Sequence, residues 1–374
     1  MPTRQETAKE TARLLAAANL QQFPAVMGFD GFVDDIIDVV QERASVDSYT
    51  RLPTMAQLAQ IVSDSVNRSC NMELVVKKQK LGGNGPIMAS ALATLGLPMT
   101  YMGTVGDLAD PSGIHHVFHD FAKRATLISL TSPAITHALE FNDGKVMLGE
   151  LAPCARVSWA RILEVVGLEK LIASFDSASF LGLVNWTMLP HMTDIWQHVA
   201  DEILPRLSKK PRRIFIDLAD PKKRSQADIQ SALAVLKKLN ALTPVCLGLN
   251  FSEAEQIAAA LAIKSADFPL PQLAEQIRAK SNLDTIVIHP TERAAAANAS
   301  GSAEFRGPFV KEPKILTGAG DHFNAGFAAA LLLNFPLENA LAMATAISGF
   351  YVRNAHSPSA AELATFLEFL PDPQ

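Results

Sequence analysis

Hydrophobic and polar positions follow two alternating rhythms through the second half of this chain. Short, almost wholly apolar runs read as buried strands: "SFLGLV" (179–184), "RIFIDL" (213–218), "VCLGLN" (245–250) and "DTIVIHP" (284–290), with "AVMGF" (25–29) an earlier one. Between them the apolar spacing becomes helical, near 191–206, 226–240, 252–262 and 271–281. Strands that lack a polar face, separated by helices, predict a mostly parallel sheet covered on both sides. From Gly318 onward the pattern is helical almost throughout.

The first half is less regular. Residues 5–20 read as a short amphipathic helix ahead of the fold, so 1–22 is taken as an N-terminal helical extension and 23–374 as one large α/β domain. "GFVDDIIDVV" (31–40) mixes apolar and acidic residues in a strand, 52–69 is helical, and "MELVVKKQK" (72–80) is extended. "NGPIMASALATLG" (84–96) is a small-residue helix ended by Gly96, and "MTYMGTVG" (99–106) is the next strand. "AITHALEFNDGKVMLGE" (134–150) is a hairpin about Asn142-Asp143-Gly144. The segments 33–41, 72–81 and 134–150 break the alternation with strand–strand pairing, which predicts a small separate sheet. Ligands of open parallel sheets bind beyond the carboxyl ends of the strands, so a sheet hanging there would be a lid.

Composition narrows the class. The 374 residues carry a net charge of −5, which gives no global basic field for nucleic acid. The runs "KKPRR" (209–213) and "PKKRS" (221–225) are read as solvated loop charge. Cys70, Cys154 and Cys246 are odd in number and widely spaced, which argues against a disulfide framework or cysteine zinc site and fits a reducing compartment. The N-terminus has no apolar leader and no run approaches ~18 apolar residues, so a cytoplasmic location without a membrane partner is expected. A homodimer is allowed by the sequence but not required by it. His115 and His119 share a helical face, yet no third ligand follows at a familiar metal spacing.

Three stretches carry chemistry. In "ILTGAGDHFNAGF" (315–327), Gly318-Ala319-Gly320 leads into a helix whose first turn holds Asp321. The first N–H groups of a helix lack internal partners and attract anions, and glycines let a phosphate approach the backbone. Asp321 alone reads equally as a helix cap or as a general base beside an anion hole. Gly82 and Gly83 end an extended segment and Asn84 opens a helix, a turn that lets a polyol lie close to the backbone. Asn250 ends a strand with Glu253 three residues on, where both could hold water around Mg²⁺; Ser252 and Glu255 compete as a capping pair.

Together these stretches resemble the PfkB, or ribokinase-like, family of carbohydrate and nucleoside kinases. "TGAGDHFNAGF" is similar to that family's C-terminal signature, "GGNGPIMASALATLG" to its N-terminal glycine pair, and "NFSE" (250–253) to its N-x-x-E motif. "FIDLADPKKR" (215–224) resembles the strand and D-P loop between them, and the resemblance spans about residues 25–370. It implies a three-layer α/β/α ribokinase-like fold with a mostly parallel sheet and a small β-sheet lid. It also implies ATP-dependent phosphorylation of a sugar hydroxyl with Mg²⁺ held through water at Glu253. Asp321 would be the base, Gly318, Ala319 and Gly320 would form the anion hole, and Asn250 and Glu253 would serve the cofactor. Gly82, Gly83, Asn84 and Asp30 or Asp34 would meet the substrate. A nucleoside kinase and a non-catalytic ligand-binding homologue are the alternatives. The chain departs from the family pattern twice. Ile315-Leu316 replace an Asp-Thr pair linked to monovalent-cation activation, and "HPTERAAAA" (289–297) replaces a T-x-G-x-x-G loop near the nucleotide.

Overall fold

The computed structural model describes residues 2–374. Its strands, in chain order, are β1 Ala25–Phe29, β2 Phe32–Arg43, β3 Tyr49–Arg51, β4 Leu74–Gly82, β5 Met99–Gly103, β6 Ala125–Ser129 and β7 Ala134–Phe141. They continue with β8 Gly144–Glu150, β9 Phe180–Leu183, β10 Arg213–Asp217, β11 Val245–Leu249, β12 Thr285–Ile288, β13 Arg293–Asn298 and β14 Gly301–Arg306. Among the described residues they form a nine-stranded sheet in the order β14-β13-β12-β11-β10-β9-β1-β5-β6 and a five-stranded sheet built on β2, β3, β4, β7 and β8.

Successive strand residues point to opposite faces, and in the large sheet both faces are buried. Val26, Leu181, Ile214, Ile216, Leu247 and Ile286 pack into one core, against helices that include Met192–His198, Gln226–Leu242 and Leu270–Ser281. Met27, Phe180, Phe215, Cys246 and Val287 pack into the other, against Asn84–Leu95, Ala319–Leu332 and Leu337–Asn354. The result is a three-layer α/β/α fold with a central sheet parallel from β6 to β12.

The pattern does not predict the hairpin of β13 and β14. "RAAAAN" has helix-forming alanines, but Ala295 and Ala297 sit in one core and Ala294 and Ala296 in the other. Burial on both faces overrides the propensity, because small side chains let helices lie close on either side.

In the small sheet, β2 leaves the large sheet after Asp30-Gly31 and pairs with β4 and β7. Its rear face buries Ile37, Val39, Leu52, Leu139 and Phe141. The register Asp34↔Lys80 and Asp34↔Thr136 puts these three residues on the other face, turned toward the large domain.

The helix Arg4–Ala16 is part of the domain rather than an appendage to it; Met1 of the segment 1–22 lies outside the described residues. Thr7, Ala8, Thr11, Ala12 and Leu15 form its buried stripe. Asn339 Nδ2 donates to Thr11 Oγ1 at 3.0 Å, and Arg4 donates to the carbonyls of Arg306 (2.9 Å) and Pro371 (2.7 Å). Leu15→Ala is therefore expected to destabilise the whole domain by about 2–5 kcal/mol, the cost of a buried leucine. Denaturant melts measure this, and a loss below ~0.5 kcal/mol would mean that the helix is not part of the cooperative unit.

Candidate active site

The polar groups gather where the parallel strands end. Asp30 follows β1, Asn185 lies beyond β9, Asp217 is the last residue of β10, and Asn250 and His289 follow β11 and β12. Hydrophobic strands buried on two sides leave their carboxyl ends as the place where polar side chains can meet a ligand.

Asp30 is fully buried. Its carboxylate accepts from Asn185 Nδ2 at 2.7 Å and from the Gly85 N–H at 3.0 Å, while Tyr101 Oη donates to its backbone carbonyl at 2.7 Å. Burial nevertheless pushes its pKa up to about 6, against the hydrogen bonds that favour the anion. Gly83, at φ 96°, has no room for a side chain, since a Cβ would lie 2.6 Å from Asp30 Oδ2. Asp34 lies apart from Asp30, on the small sheet, where Gly82 packs against its carboxylate. Burial raises its pKa, with Thr136, Lys80 and Lys145 opposing the rise.

The glycine turn brings two distant motifs together. Gly318, at φ 91°, is the N-cap of the helix Ala319–Leu332, and Asp321 sits in the first turn without capping it. Its Oδ1 instead accepts from Asn84 Nδ2 at 3.0 Å, a contact spanning 237 residues of sequence. Of the three N–H groups in the turn, that of Ala319 donates to the Leu316 carbonyl at 3.1 Å. Among the described residues no acceptor meets those of Gly320 and Asp321.

Carboxyl groups crowd beside this turn. Asp217 accepts from Asn324 Nδ2 at 2.7 Å and from the Ala219 N–H at 2.8 Å. Glu253 and Asn250 form the reciprocal cap of the helix Phe251–Ala260, so Asn250 rather than Ser252 is the capping residue. Both Glu253 oxygens accept backbone N–H groups, of Asn250 at 2.8 Å and Asp220 at 3.0 Å. Burial, with the Glu253 charge second, raises Asp217; burial also raises Glu253. Asp321 is pushed well above the carboxylate range by burial and then by Asp217 and Asp30. Crowded carboxyls that resist ionising fit a site that receives a cation. Among the described residues no group of three His, Cys, Asp or Glu side chains is arranged to hold a metal. An ion there would rest on waters and ligand oxygens as well as protein.

The turn is also the wall between two clefts. One, of about 760 Å³, is lined by Phe251, His289, Phe309, Gly320, Phe323 and Val352 among others. The other, of about 610 Å³, is lined by Asp34, Lys80, Lys145, Thr317, His322 and Tyr351 among others. Leu316 borders both. From the small sheet, Lys145 Nζ donates to Thr317 Oγ1 at 3.3 Å. The sequence "HPTE" supplies His289, Pro290 and Thr291 to the larger cleft, where the His289 ring lies tilted by 32° against Phe323 with centroids 4.6 Å apart.

Sequence reasoning thus names residues that the fold does assemble: Asn84 on Asp321, Asp30 beneath Gly83, and Glu253 across from Asp217. Asp30 and Asp34, named as alternatives for one role, occupy different positions. Asn185 and Tyr101 had no motif to announce them, and Asn324 lay unremarked inside the stretch 317–327. The position of Asn185 just beyond a strand end was its only available signal.

Among known proteins, residues 3–369 match the family described as prokaryotic ketohexokinase. A ketohexokinase of Haloferax volcanii is 31% identical over 343 residues, covering 91% of this chain and 90% of that protein. A ribokinase of Thermotoga maritima superposes with a TM-score of 0.62 at 15% identity, over 92% of this chain and 99% of that one. An adenosine kinase of Sinorhizobium meliloti gives 0.62 at 16% identity, over 92% and 98%. Among the described residues no helix is long and apolar enough to cross a membrane.

The carboxyl cluster has a measurable cost. In the metal-free protein, a raised native pKa means that stability falls as pH climbs above the ordinary carboxylate value of 3.8. Asp217→Asn removes that penalty, and Asn324 can accommodate it by turning its amide, because its Oδ1 has no partner. The variant should melt together with the wild type near about pH 4 and above it by a few degrees near about pH 8. An advantage that shrinks as pH rises would overturn the assignment.

Proposed function

The chain belongs to the prokaryotic ketohexokinase family, and on that premise we propose that it phosphorylates a ketohexose hydroxyl with Asp321 as general base. That it is an ATP-dependent sugar kinase follows from the family and from a ribokinase-like fold. The ketohexose acceptor rests on the names of the family and of its curated relative.

The observation that carries the mechanism is the Asn84–Asp321 hydrogen bond, beside the unpartnered N–H groups of Gly320 and Asp321. Asp321, its proton affinity raised by burial, takes the hydroxyl proton as the acceptor oxygen bonds to the γ-phosphorus. The bridging P–O bond to the β-phosphate breaks and ADP leaves. Charge building on the transferred group meets the N–H groups of Gly320 and Asp321, donors already oriented before reaction. Gly318 gives the turn its left-handed start, and Ala319 spends its N–H on holding it.

ATP fits the larger cleft, whose apolar walls end at the turn. The ketose fits the second, between the turn and the small sheet, which acts as the lid. Asp34 lines that cleft and would meet its hydroxyls; Asn84, held on Asp321, would meet the acceptor hydroxyl, while Gly83 packs on the buried Asp30 and Gly82 on Asp34. Asp217, Asn250 and Glu253 would hold Mg²⁺ through water; when bound, the ion neutralises phosphate charge.

Asp321→Asn should keep the fold and ATP binding while turnover falls about 10²–10⁴-fold, the usual contribution of a positioned base. Steady-state phosphate transfer measures it, and wild-type turnover in that variant would sink the mechanism. A panel of ketoses, aldoses and nucleosides tests the substrate, where a nucleoside preferred over every ketose would replace it. With Ile315-Leu316 in place of the Asp-Thr pair, exchanging sodium for potassium should leave turnover unchanged; strong, saturable activation by potassium would show that another group supplies the site.

A further inference from the structure

The three carbonyl groups at the heart of the turn are each held by a side chain from outside it. Tyr351 Oη donates to the Thr317 carbonyl at 3.0 Å, His322 Nδ1 to that of Gly318 at 2.7 Å, and Ser348 Oγ to that of Ala319 at 2.9 Å. The His322 ring lies on the Tyr351 ring with centroids 3.6 Å apart and planes 15° apart. We propose that Ser348, Tyr351 and His322 are positioning residues that clamp three consecutive peptide planes, so that the N–H of Gly320 is aimed at the transferred phosphoryl group.

A peptide unit is planar, and its C=O and following N–H point in opposite directions. A donor on the Ala319 carbonyl therefore fixes the Gly320 N–H, which is one of the two without an acceptor. The donors on Thr317 and Gly318 fix the two planes before it, where Gly318 needs φ 91°. A turn that depends on glycine for its shape is mobile by itself. Oriented donors accelerate the reaction because no reorganisation remains to be done when charge develops.

The geometry also sets the state of His322. A carbonyl oxygen only accepts, so Nδ1 carries the proton, and Nε2 accepts from Ser357 Oγ at 2.8 Å. The ring is buried and burial keeps it neutral, with its pKa lowered to about 4. Ser357 follows the helix Leu337–Asn354 that carries Ser348 and Tyr351, so one helix and its exit loop supply the clamp apart from His322 itself. Ser348, Gly349 and Val352 of that helix line the 760 Å³ cleft, while Tyr351 lines the other. The helix that walls both clefts thus sets the turn between them.

This inference rests on reading the turn as the phosphate site. Its test is steady-state kinetics of the full chain with Mg-ATP and fructose, on Ser348→Ala, Tyr351→Phe and His322→Phe, with Asp321→Asn as reference. Each should lower kcat about 10- to 100-fold, the scale of a misplacement near 1 Å. The KM values for both substrates should stay within about twofold, because groups whose polar atoms are spent on the turn set its orientation rather than ligand affinity. Paired substitutions should lose less than the product of the single losses, since the residues act as a unit. Ser348→Thr and His322→Asn, which return a donor to each carbonyl, should recover much of kcat. If His322→Phe does not fold, Ser348→Ala and Tyr351→Phe decide alone, since each removes a single oxygen. Wild-type kcat in those two variants, or losses carried by KM and not reversed by Ser348→Thr, would overturn the clamp. Should Asp321→Asn itself be fully active, the reading of the turn falls, and the clamp with it; an inactive Asp321→Asn beside active Ser348→Ala and Tyr351→Phe rejects the clamp alone.

Discussion

A parallel sheet buried on both faces leaves little room for polar side chains along its strands, and that constraint organises this protein. Every position from Phe180 to Leu183 and from Val245 to Leu249 is buried. Polar groups are therefore displaced to the strand ends, where the chain turns into the next helix and backbone N–H groups lie open. Asp30, Asn185, Asp217, Asn250 and His289 stand there in a row because the strands that carry them are neighbours in one sheet. The site is an edge of the core.

That edge concentrates carboxyl groups at a cost to the resting protein. Asp30, Asp217, Glu253 and Asp321 are all pushed toward the protonated state, burial first and mutual charge next. Hydrogen bonds from Asn185, Asn324, Asn84 and backbone N–H groups hold them in place without cancelling the burden. Such strain is useful where a cation and a polyphosphate enter together, since the ligands then supply the missing compensation. It also explains why amides so often face carboxyls here: an amide donates without adding a charge that would compete with the ligand.

The small sheet gives the same edge a second side. The strand β2 grows directly out of the loop after β1, so Asp30 and Asp34 lie on one continuous segment but serve different surfaces. Lysines at 80 and 145 face the cleft with Asp34, and Lys145 already reaches the glycine turn.

The sequence by itself determined most of the strands, most of the helices and the fold family, because burial leaves a periodic record in hydrophobicity and three spaced motifs survive as strings of residues. The same local record named Gly318 to Asp321, Gly82 to Asn84, and Asn250 with Glu253. It did not announce "RAAAAN", whose strand form depends on helices packed from both sides. It also left Asp321 divided between helix cap and base, since both choices place an aspartate in a first helical turn. Tertiary structure removed the cap reading by bringing Asn84 across 237 residues to the carboxylate and leaving the cap to Gly318. It also set Asp30 apart from Asp34 and found Asn185, Asn324 and the Ser348–Tyr351–His322 clamp. Apart from the local His322–Gly318 contact, those residues act through partners far away in the chain, and no spacing along a sequence encodes a contact that only folding creates.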